Sequence, residues 1–246
     1  MQFPVRLTAT FARMRTKLTA LIVIGAAFAA GAAAQAAPIP VANYTFKTQD
    51  DVNAFQNVGN TACKRTWVKN QALGIGVGKS GSSCAYRSSV VGDSSSQYSD
   101  QGMVATGTVG GGSAKLQKKS FIGVGVRYSS SASYVLRILP NAHKWQYFRD
   151  PKGPAGPKLE SSGSGSWIKV GSKPNTVALR AFSFGGTNTS VIGSVNGHGV
   201  VSLSDSAADQ PDGRQTVVSA GVKGSGSGAG VMGVFSNVIV QVPNPF

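Results

Sequence analysis

The stretch that decides the fold is Phe121-Ile-Gly-Val-Gly-Val-Arg-Tyr128, followed after four small residues by Ser133-Tyr-Val-Leu-Arg-Ile-Leu139. In both runs apolar side chains recur at every second position, the pattern of β-strands with one buried face. The short Ser/Ala connection, residues 129–132, predicts that 121–128 and 133–139 pair as an antiparallel hairpin.

One face of this hairpin is continuous and apolar if Tyr128 lies opposite Tyr134. That face carries Val124, Val126, Tyr128, Tyr134, Leu136 and Ile138. Strand alternation then sends Arg127 and Arg137 together from the opposite face, where Gly123 and Gly125 would leave an open floor. We therefore expect the Arg127/Arg137 face to be the functional face. The alternative is that these arginines pair with scattered Asp residues or cover a solvated sheet.

The rest of the chain continues the strand pattern, with short runs rich in Val, Ile, Tyr, Phe and Trp between Gly/Ser/Asn/Pro clusters. This spacing predicts an all-β protein, an antiparallel two-sheet β-sandwich. Asn196-Gly197 predicts a type I′ hairpin turn. Residues 50–56 suggest a short helical turn, and the Pro/Gly-rich stretch 150–165 is interpreted as a long surface loop. Besides the first hairpin, the predicted strands are 41–46, 65–69, 72–77, 84–90, 102–109, 115–117, 144–149, 166–169, 175–183, 189–195, 199–204, 215–222 and 231–242.

The N-terminus has the features of an export signal. A basic region ends at Lys17, an apolar stretch covers 18–30, and Ala34-Gln-Ala36 forms an A-x-A cleavage site. The apolar core is short for a membrane span of about 20 residues, so cleavage after Ala36 is favoured over a retained anchor. We therefore predict a signal peptide, 1–36, a single β-sandwich domain, 37–246, and a secreted or cell-envelope protein with no transmembrane anchor.

Charge is strongly asymmetric. The chain has 24 Lys and Arg against 9 Asp and Glu. Four of the basic residues lie in 1–36, which leaves 20 against 9 and a net charge of +11 for the remainder. A basic exported protein is expected to associate with anionic polymers, although scattered charge can also serve solubility alone.

The two cysteines, Cys63 and Cys84, form an isolated pair in a chain predicted to be exported, which predicts a disulfide. Zinc is a poor alternative because two Cys and two distant His lack ligand-pair spacing. A catalytic thiol would lack a nearby His.

The order of segments resembles the concanavalin A-like lectin/glucanase jelly roll, and within it the laminin-G-like and keto-disaccharide-hydrolase-like domains. The resemblance implies two antiparallel sheets and carbohydrate binding on one face or at the loop rim, but fold alone does not fix function. The segments that carry it are Trp67-Val-Lys-Asn-Gln-Ala-Leu-Gly-Ile75, the 121–138 hairpin, Lys144-Trp-Gln-Tyr-Phe-Arg149, Thr176-Val-Ala-Leu-Arg-Ala181, Val195-Asn-Gly197 and Gly233-Val-Phe-Ser-Asn-Val-Ile-Val240.

Familiar catalytic arrangements are lacking in the sequence. Glycoside hydrolysis normally needs two flanking carboxylates, but the chain has one Glu, Glu160, and no acid-x-acid-x-acid strand. Asp205, Asp209 and Asp212 could offer oxygens to Ca²⁺, but their spacing matches no calcium loop, and a turn that uses Asp and Gly for its geometry is favoured. No cofactor is predicted. Nucleic-acid binding has charge in its favour but no recognised motif.

Trp145, Tyr147 and Arg149 share one face of their predicted strand and could stack on or bind a sugar. The register after Pro140 decides between two arrangements. One pairing puts Trp145 opposite Ile138, in the core, and the neighbouring pairing puts it beside Arg137, on the binding face.

We accordingly expect a secreted, non-catalytic module that binds extracellular or cell-wall glycan, with anionic glycan as one candidate. The candidate ligand-binding residues are Arg127, Arg137, Trp145, Tyr147 and Arg149. The alternatives are a structural or adhesive envelope protein with no small ligand, and a degenerate glycanase or glycosidase.

Overall fold

A computed structural model describes residues 37–58, 61–78, 82–89, 100–129, 132–183, 188–224 and 227–242. They belong to one compact unit, Ala37–Phe246. The predicted export signal, 1–36, lies outside the described residues and stays a prediction. Within the described residues, no helix is long and apolar enough to cross a membrane.

The described residues form two antiparallel sheets, as the strand pattern predicts. Sheet A has the order β13 (His198–Asp205), β12 (Thr189–Val195), β11 (Asn175–Ser183), β6 (Gln101–Gly111), β15 (Val231–Val242), β4 (Ala72–Val77) and β3 (Cys63–Val68), and β1 (Ile39–Tyr44) also pairs with β15. Sheet B has the order β10 (Lys158–Ser164), β9 (Lys144–Asp150), β8 (Ser133–Leu139), β7 (Ser120–Tyr128), β14 (Gln215–Val222), β5 (Ser83–Ser88) and β2 (Phe55–Asn57).

Helical structure is short. Helix α1 (Gln49–Asn53) starts where Thr48 accepts a hydrogen bond from the backbone N–H of Asp51, and it matches the predicted helical turn. Helix α2 (Ala114–Gln117) replaces the strand predicted at 115–117. Ser113 caps this helix, a signal that the apolar pattern did not reveal. A 3-10 turn, Pro140–Ala142, connects β8 to β9.

The edge of sheet B differs most from the prediction. The stretch interpreted as a surface loop contains β10, Lys158–Ser164, which pairs with β9. The strand predicted at 166–169 is not formed. Because β10 is an edge strand with largely exposed side chains, it lacks the apolar alternation that identifies the inner strands.

The core lies between the sheets and is built by alternation. In sheet B its largest buried side chains include Ile122, Leu136, Ile138, Tyr134 and Tyr147, and sheet A supplies Leu73, Ile75, Met103, Leu179 and Phe235.

Cys63 of β3 and Cys84 of β5 form the predicted disulfide, which joins sheet A to sheet B.

Candidate functional site

The register of the central hairpin is shifted by two residues from the expected one. Val126, rather than Tyr128, lies opposite Tyr134. The apolar sets still coincide, because a shift of two preserves the face of every side chain. Tyr128 is removed from the core face by an irregularity at Arg127, whose φ is 50° and where the pairing with β14 slips.

Arg127 therefore does not share a face with Arg137, and that expectation is wrong. Its side chain is 3% exposed and runs between the ends of the two sheets. The guanidinium donates to Asp100 Oδ1 and Ser183 Oγ, both at 2.6 Å, and to Thr189 Oγ1 at 2.7 Å. Arg127 is thus paired with a carboxylate and fastens the sheets together, the role that the alternative interpretation gave it.

The register of β9 also settles the place of Trp145. Trp145 lies opposite Ile138 and packs against the core, and Tyr147, opposite Leu136, is fully buried. The two aromatic candidates therefore line the inner face of sheet B, away from Arg137. Gly163 of β10 makes room for Trp145, since a Cβ there would come within 2.7 Å of the indole nitrogen.

Arg149 lies on the same inner side but at the rim. It binds two carboxylates, with Nε 2.6 Å from Asp205 Oδ2 and Nη2 2.6 Å from Asp209 Oδ1. Asp212 pairs with Lys152 at 2.5 Å. The three carboxylates considered for Ca²⁺ are thus engaged with cations. Among the described residues no group of three or more His, Cys, Asp or Glu side chains could hold a metal ion.

The rim cluster has the electrostatics of a stabilising network. Burial raises the pKa of Asp205, but hydrogen bonds from Arg149, Tyr134 and the Ala207 N–H outweigh it, so the net shift lowers that pKa below its usual range. Burial is the main cause that raises the pKa of Tyr134, and its hydrogen bond to Asp205 adds to the shift. A charged, well-partnered carboxylate of this kind holds the 205–209 segment against sheet B.

Arg137 projects from the outer face of sheet B, as predicted. Its guanidinium carbon lies 4.6 Å from the ring centre of Phe121 and 4.3 Å from that of Phe148. Nε and Nη2 donate to Gln146 Oε1 at 3.0 and 2.9 Å. We call this group, Phe121, Arg137, Gln146 and Phe148, the Arg137 stack.

No carboxylate of the described residues pairs with Arg137, and its Nη1 makes no hydrogen bond to them. Burial lowers the pKa of Arg137 to about 10. The guanidinium stays charged at neutral pH. Because no carboxylate pairs with it, no opposite charge offsets its partial desolvation.

Glycines on the outer face of sheet B let neighbouring side chains lie close to the backbone. A Cβ on Gly123 would lie 2.9 Å from Arg137 Cβ, and one on Gly221 would lie 2.8 Å from the Phe121 ring. A Cβ on Gly125 would lie 2.7 Å from Val217 Cγ2. The glycines therefore do not leave an empty floor. Instead, neighbouring side chains lie flat across them, and the face is a platform rather than a cleft.

The registers of sheet B define this platform. The row through Arg137 runs Ala85, Ser219, Gly123, Arg137, Gln146 and Ser162 from β5 to β10. The Ser219 hydroxyl is buried and has no hydrogen-bond partner in the described part of the chain.

One end of the platform carries a carboxylate. Tyr128, turned outward at the irregularity, lies near Asp150 of β9 and Arg87 of β5. Burial raises the pKa of Tyr128, with a further increase from Asp150, and burial also raises the pKa of Asp150. Asp150 is the one carboxylate in β8 and β9, so these two strands do not themselves supply the pair that glycoside hydrolysis uses.

Sequence reasoning found Arg137 and missed the residues that hold it. Phe121, Gln146 and Phe148 share its face because β7 and β9 alternate, and the same alternation excludes Trp145 and Tyr147. The signal was present in Gln146-x-Phe148, but it needed the register of β9, which the sequence left open.

A hollow of about 690 Å³ lies elsewhere, on sheet A between Lys64, Gly76 and Met232. Lys64 is the one charged side chain among the described residues that line it. This hollow offers little chemistry compared with the Arg137 stack.

No protein-family model matches the chain, and no curated protein matches its sequence significantly. Solved structures do share the architecture. The endo-1,3-beta-glucanase of Streptomyces sioyaensis matches with a TM-score of 0.56 at 10% identity, over 85% of this chain and 98% of the glucanase. The beta-glucanase of Bacillus licheniformis gives 0.53 at 10% identity, over 82% of this chain and 98% of that one.

The carbohydrate-binding module CBM66 of Bacillus subtilis gives a TM-score of 0.50 at 13% identity, over 76% of this chain and 95% of the module. At these identities the likeness shows the fold alone. The chain shares the jelly-roll β-sandwich fold of these proteins, which is consistent with the resemblance to the concanavalin A-like fold. The finer laminin-G-like or keto-disaccharide-hydrolase-like assignment stays a prediction.

Proposed function

We propose that this protein is an exported glycan-binding module whose ligand is an anionic polysaccharide, bound without cleavage on the platform around the Arg137 stack. The observation that carries the proposal is Arg137 itself. It is a half-buried cation, held in one orientation, that has no carboxylate partner in the described residues and one free guanidinium nitrogen.

The stack preorganises Arg137 for an anion. The two phenyl rings and Gln146 restrict the guanidinium, so little side-chain freedom is lost when a ligand arrives. A planar guanidinium donates to sulfate, carboxylate or phosphate oxygens in a fixed geometry, and partial desolvation strengthens that bond.

The surroundings of the stack suit a sugar chain. Phe148 carries Arg137 on one face of its ring and is only half-buried, so the part of the ring that stays exposed can contact the C–H groups of a sugar. The small side chains of the neighbouring rows let an extended polymer cross the strands. The fold is shared with proteins named as a carbohydrate-binding module and as glucanases, which supports a carbohydrate as the ligand.

The charge, the disulfide and the predicted export signal agree with this proposal. Outside 1–36 the chain has 20 basic and 9 acidic residues, and this positive net charge attracts polyanions. The disulfide fits an oxidising compartment. Binding without cleavage is proposed because β8 and β9, the two strands that carry the Arg137 stack beside β7, hold one carboxylate rather than the pair that hydrolysis uses.

The test compares dextran sulfate with unsulfated dextran of the same length, by titration calorimetry of the exported protein in 150 mM salt. Arg137→Ala is expected to weaken dextran sulfate binding at least tenfold, about 1.4 kcal/mol. Lys169→Ala, which removes the same charge from an exposed loop, is expected to change it less than twofold. Equal losses in the two variants would show that binding follows net charge alone, and the assignment of the site would be wrong.

A glycan array then identifies the natural class of ligand. We expect sulfated or uronic-acid glycans to be enriched over neutral ones, and Arg137→Ala to lose those signals. An array with no bound glycan would favour the structural or adhesive alternative.

A further inference from the structure

The outer face of sheet A carries a second arginine in surroundings like those of Arg137. Arg180 of β11 projects from that face, and its Nε donates to Gln241 Oε1 at 3.2 Å. Burial lowers the pKa of Arg180. Like Arg137, it pairs with no carboxylate of the described residues.

A glycine again lets the arginine lie flat. In the registers of sheet A, Gly102 of β6 lies between Gln241 of β15 and Arg180. A Cβ on Gly102 would lie 3.0 Å from Arg180 Cγ and 3.3 Å from Gln241 Oε1. Because that Cβ is missing, glutamine and arginine meet across the intervening strand.

The guanidinium is free on its outer side. Neither Nη1 nor Nη2 of Arg180 makes a hydrogen bond to the described residues, so both of these coplanar nitrogens can donate to a ligand. Ile192, its cross-strand neighbour, is 38% exposed and forms an apolar border. The arrangement of arginine, glutamine and glycine therefore occurs on both outer faces of the sandwich.

We infer that Arg180, held by Gln241 over Gly102, is the centre of a second anion-binding site, and that the protein is bivalent and cross-links polyanionic glycan chains. The class of ligand rests on the proposed function, while the site itself rests on Arg180. The two arginines point away from each other on opposite sides of packed sheets about 10 Å apart, so one short chain segment does not reach both. Two chains are bound instead, and their simultaneous binding raises the avidity for a polymer network.

The first test counts sites. Titration of the exported protein with a dextran sulfate tetrasaccharide is expected to give two sites in the parent, one in Arg180→Ala, one in Arg137→Ala and none in the double variant. If the parent has one site and Arg180→Ala keeps it, the second site does not exist, and the proposed function still stands. If the parent has two sites and Arg137→Ala keeps both, the proposed function is wrong. The second site at Arg180 still stands in that case, provided that Arg180→Ala loses one site.

The second test measures cross-linking. Light scattering of the parent with long-chain dextran sulfate is expected to rise to a maximum near charge balance, and each single variant is expected to lose at least nine-tenths of that maximum. Lys169→Ala is the matched control for charge. Scattering by Arg180→Ala equal to that of the control would refute bivalency through this face.

A further variant covers the case in which Arg180→Ala loses binding because it fails to fold. Ile192→Glu keeps Arg180 and places a carboxylate beside it, where it would occupy the free donors. This variant is expected to lose the second site as Arg180→Ala does, whereas Ile192→Gln is expected to keep it. Retention of two sites in Ile192→Glu would contradict the inference.

Discussion

Two stacked tyrosines in the core offer a matched test of the structure. Tyr134 and Tyr147 lie on neighbouring strands, both are fully buried, and their ring centres are 6.5 Å apart. The Tyr134 hydroxyl donates to Asp205 Oδ2 at 2.6 Å, whereas the Tyr147 hydroxyl has no partner in the described residues. The same change, Tyr to Phe, should therefore have opposite effects at the two positions.

The magnitudes follow from the two environments. Tyr134→Phe removes a buried hydrogen bond to a charged group and is expected to lower the free energy of unfolding by about 2 kcal/mol. The Tyr147 hydroxyl loses its hydrogen bonds to water on folding and gains no partner. Tyr147→Phe removes this unfavourable contribution and is expected to raise the free energy of unfolding by about 1 kcal/mol. For a domain of this size, a difference of about 3 kcal/mol corresponds to roughly 6–12 °C in Tm.

Urea unfolding of the protein, followed by tryptophan fluorescence, gives both values from the midpoints at constant slope. Each ring stays in place, so packing is held constant between the variants. Destabilisation by both substitutions to the same extent would refute the assignment of a satisfied and an unsatisfied hydroxyl.

Three further outcomes are expected. Replacing Cys63 and Cys84 together by Ala should cost about 3 kcal/mol in the chain-entropy model for a separation of 21 residues, measured by urea unfolding against the oxidised parent, and a loss below 1 kcal/mol would contradict it. The lowered pKa of Asp205 gives stability that is present above its unfolded pKa of about 4 and is lost as pH falls through the lower folded value. Asp205→Asn should therefore flatten the loss of stability with acid below about pH 4, and an unchanged slope would argue against the network. Gly123→Val should displace Arg137 and weaken dextran sulfate binding about as much as Arg137→Ala, and undiminished binding would show that the flat placement is not needed.

The sequence by itself determined the architecture. Period-two alternation in 121–128 and 133–139 identified the buried face, because a strand exposes successive side chains to opposite sides. The pairing of Cys63 with Cys84 and the turn at Asn196-Gly197 also follow from local chemistry, and both are present. Arg137 was placed on the outer face by the same alternation.

Tertiary structure decided which residues surround Arg137. Alternation along one strand says nothing of register between strands, so the choice between Trp145 and Gln146 as its neighbour needed the pairing of β8 with β9. At Arg127 a positive φ interrupts the period, and the side chain is drawn between the sheets by Asp100, a partner distant in sequence. Such a break gives no local signal, because it is stabilised by contacts that exist only once both sheets have packed.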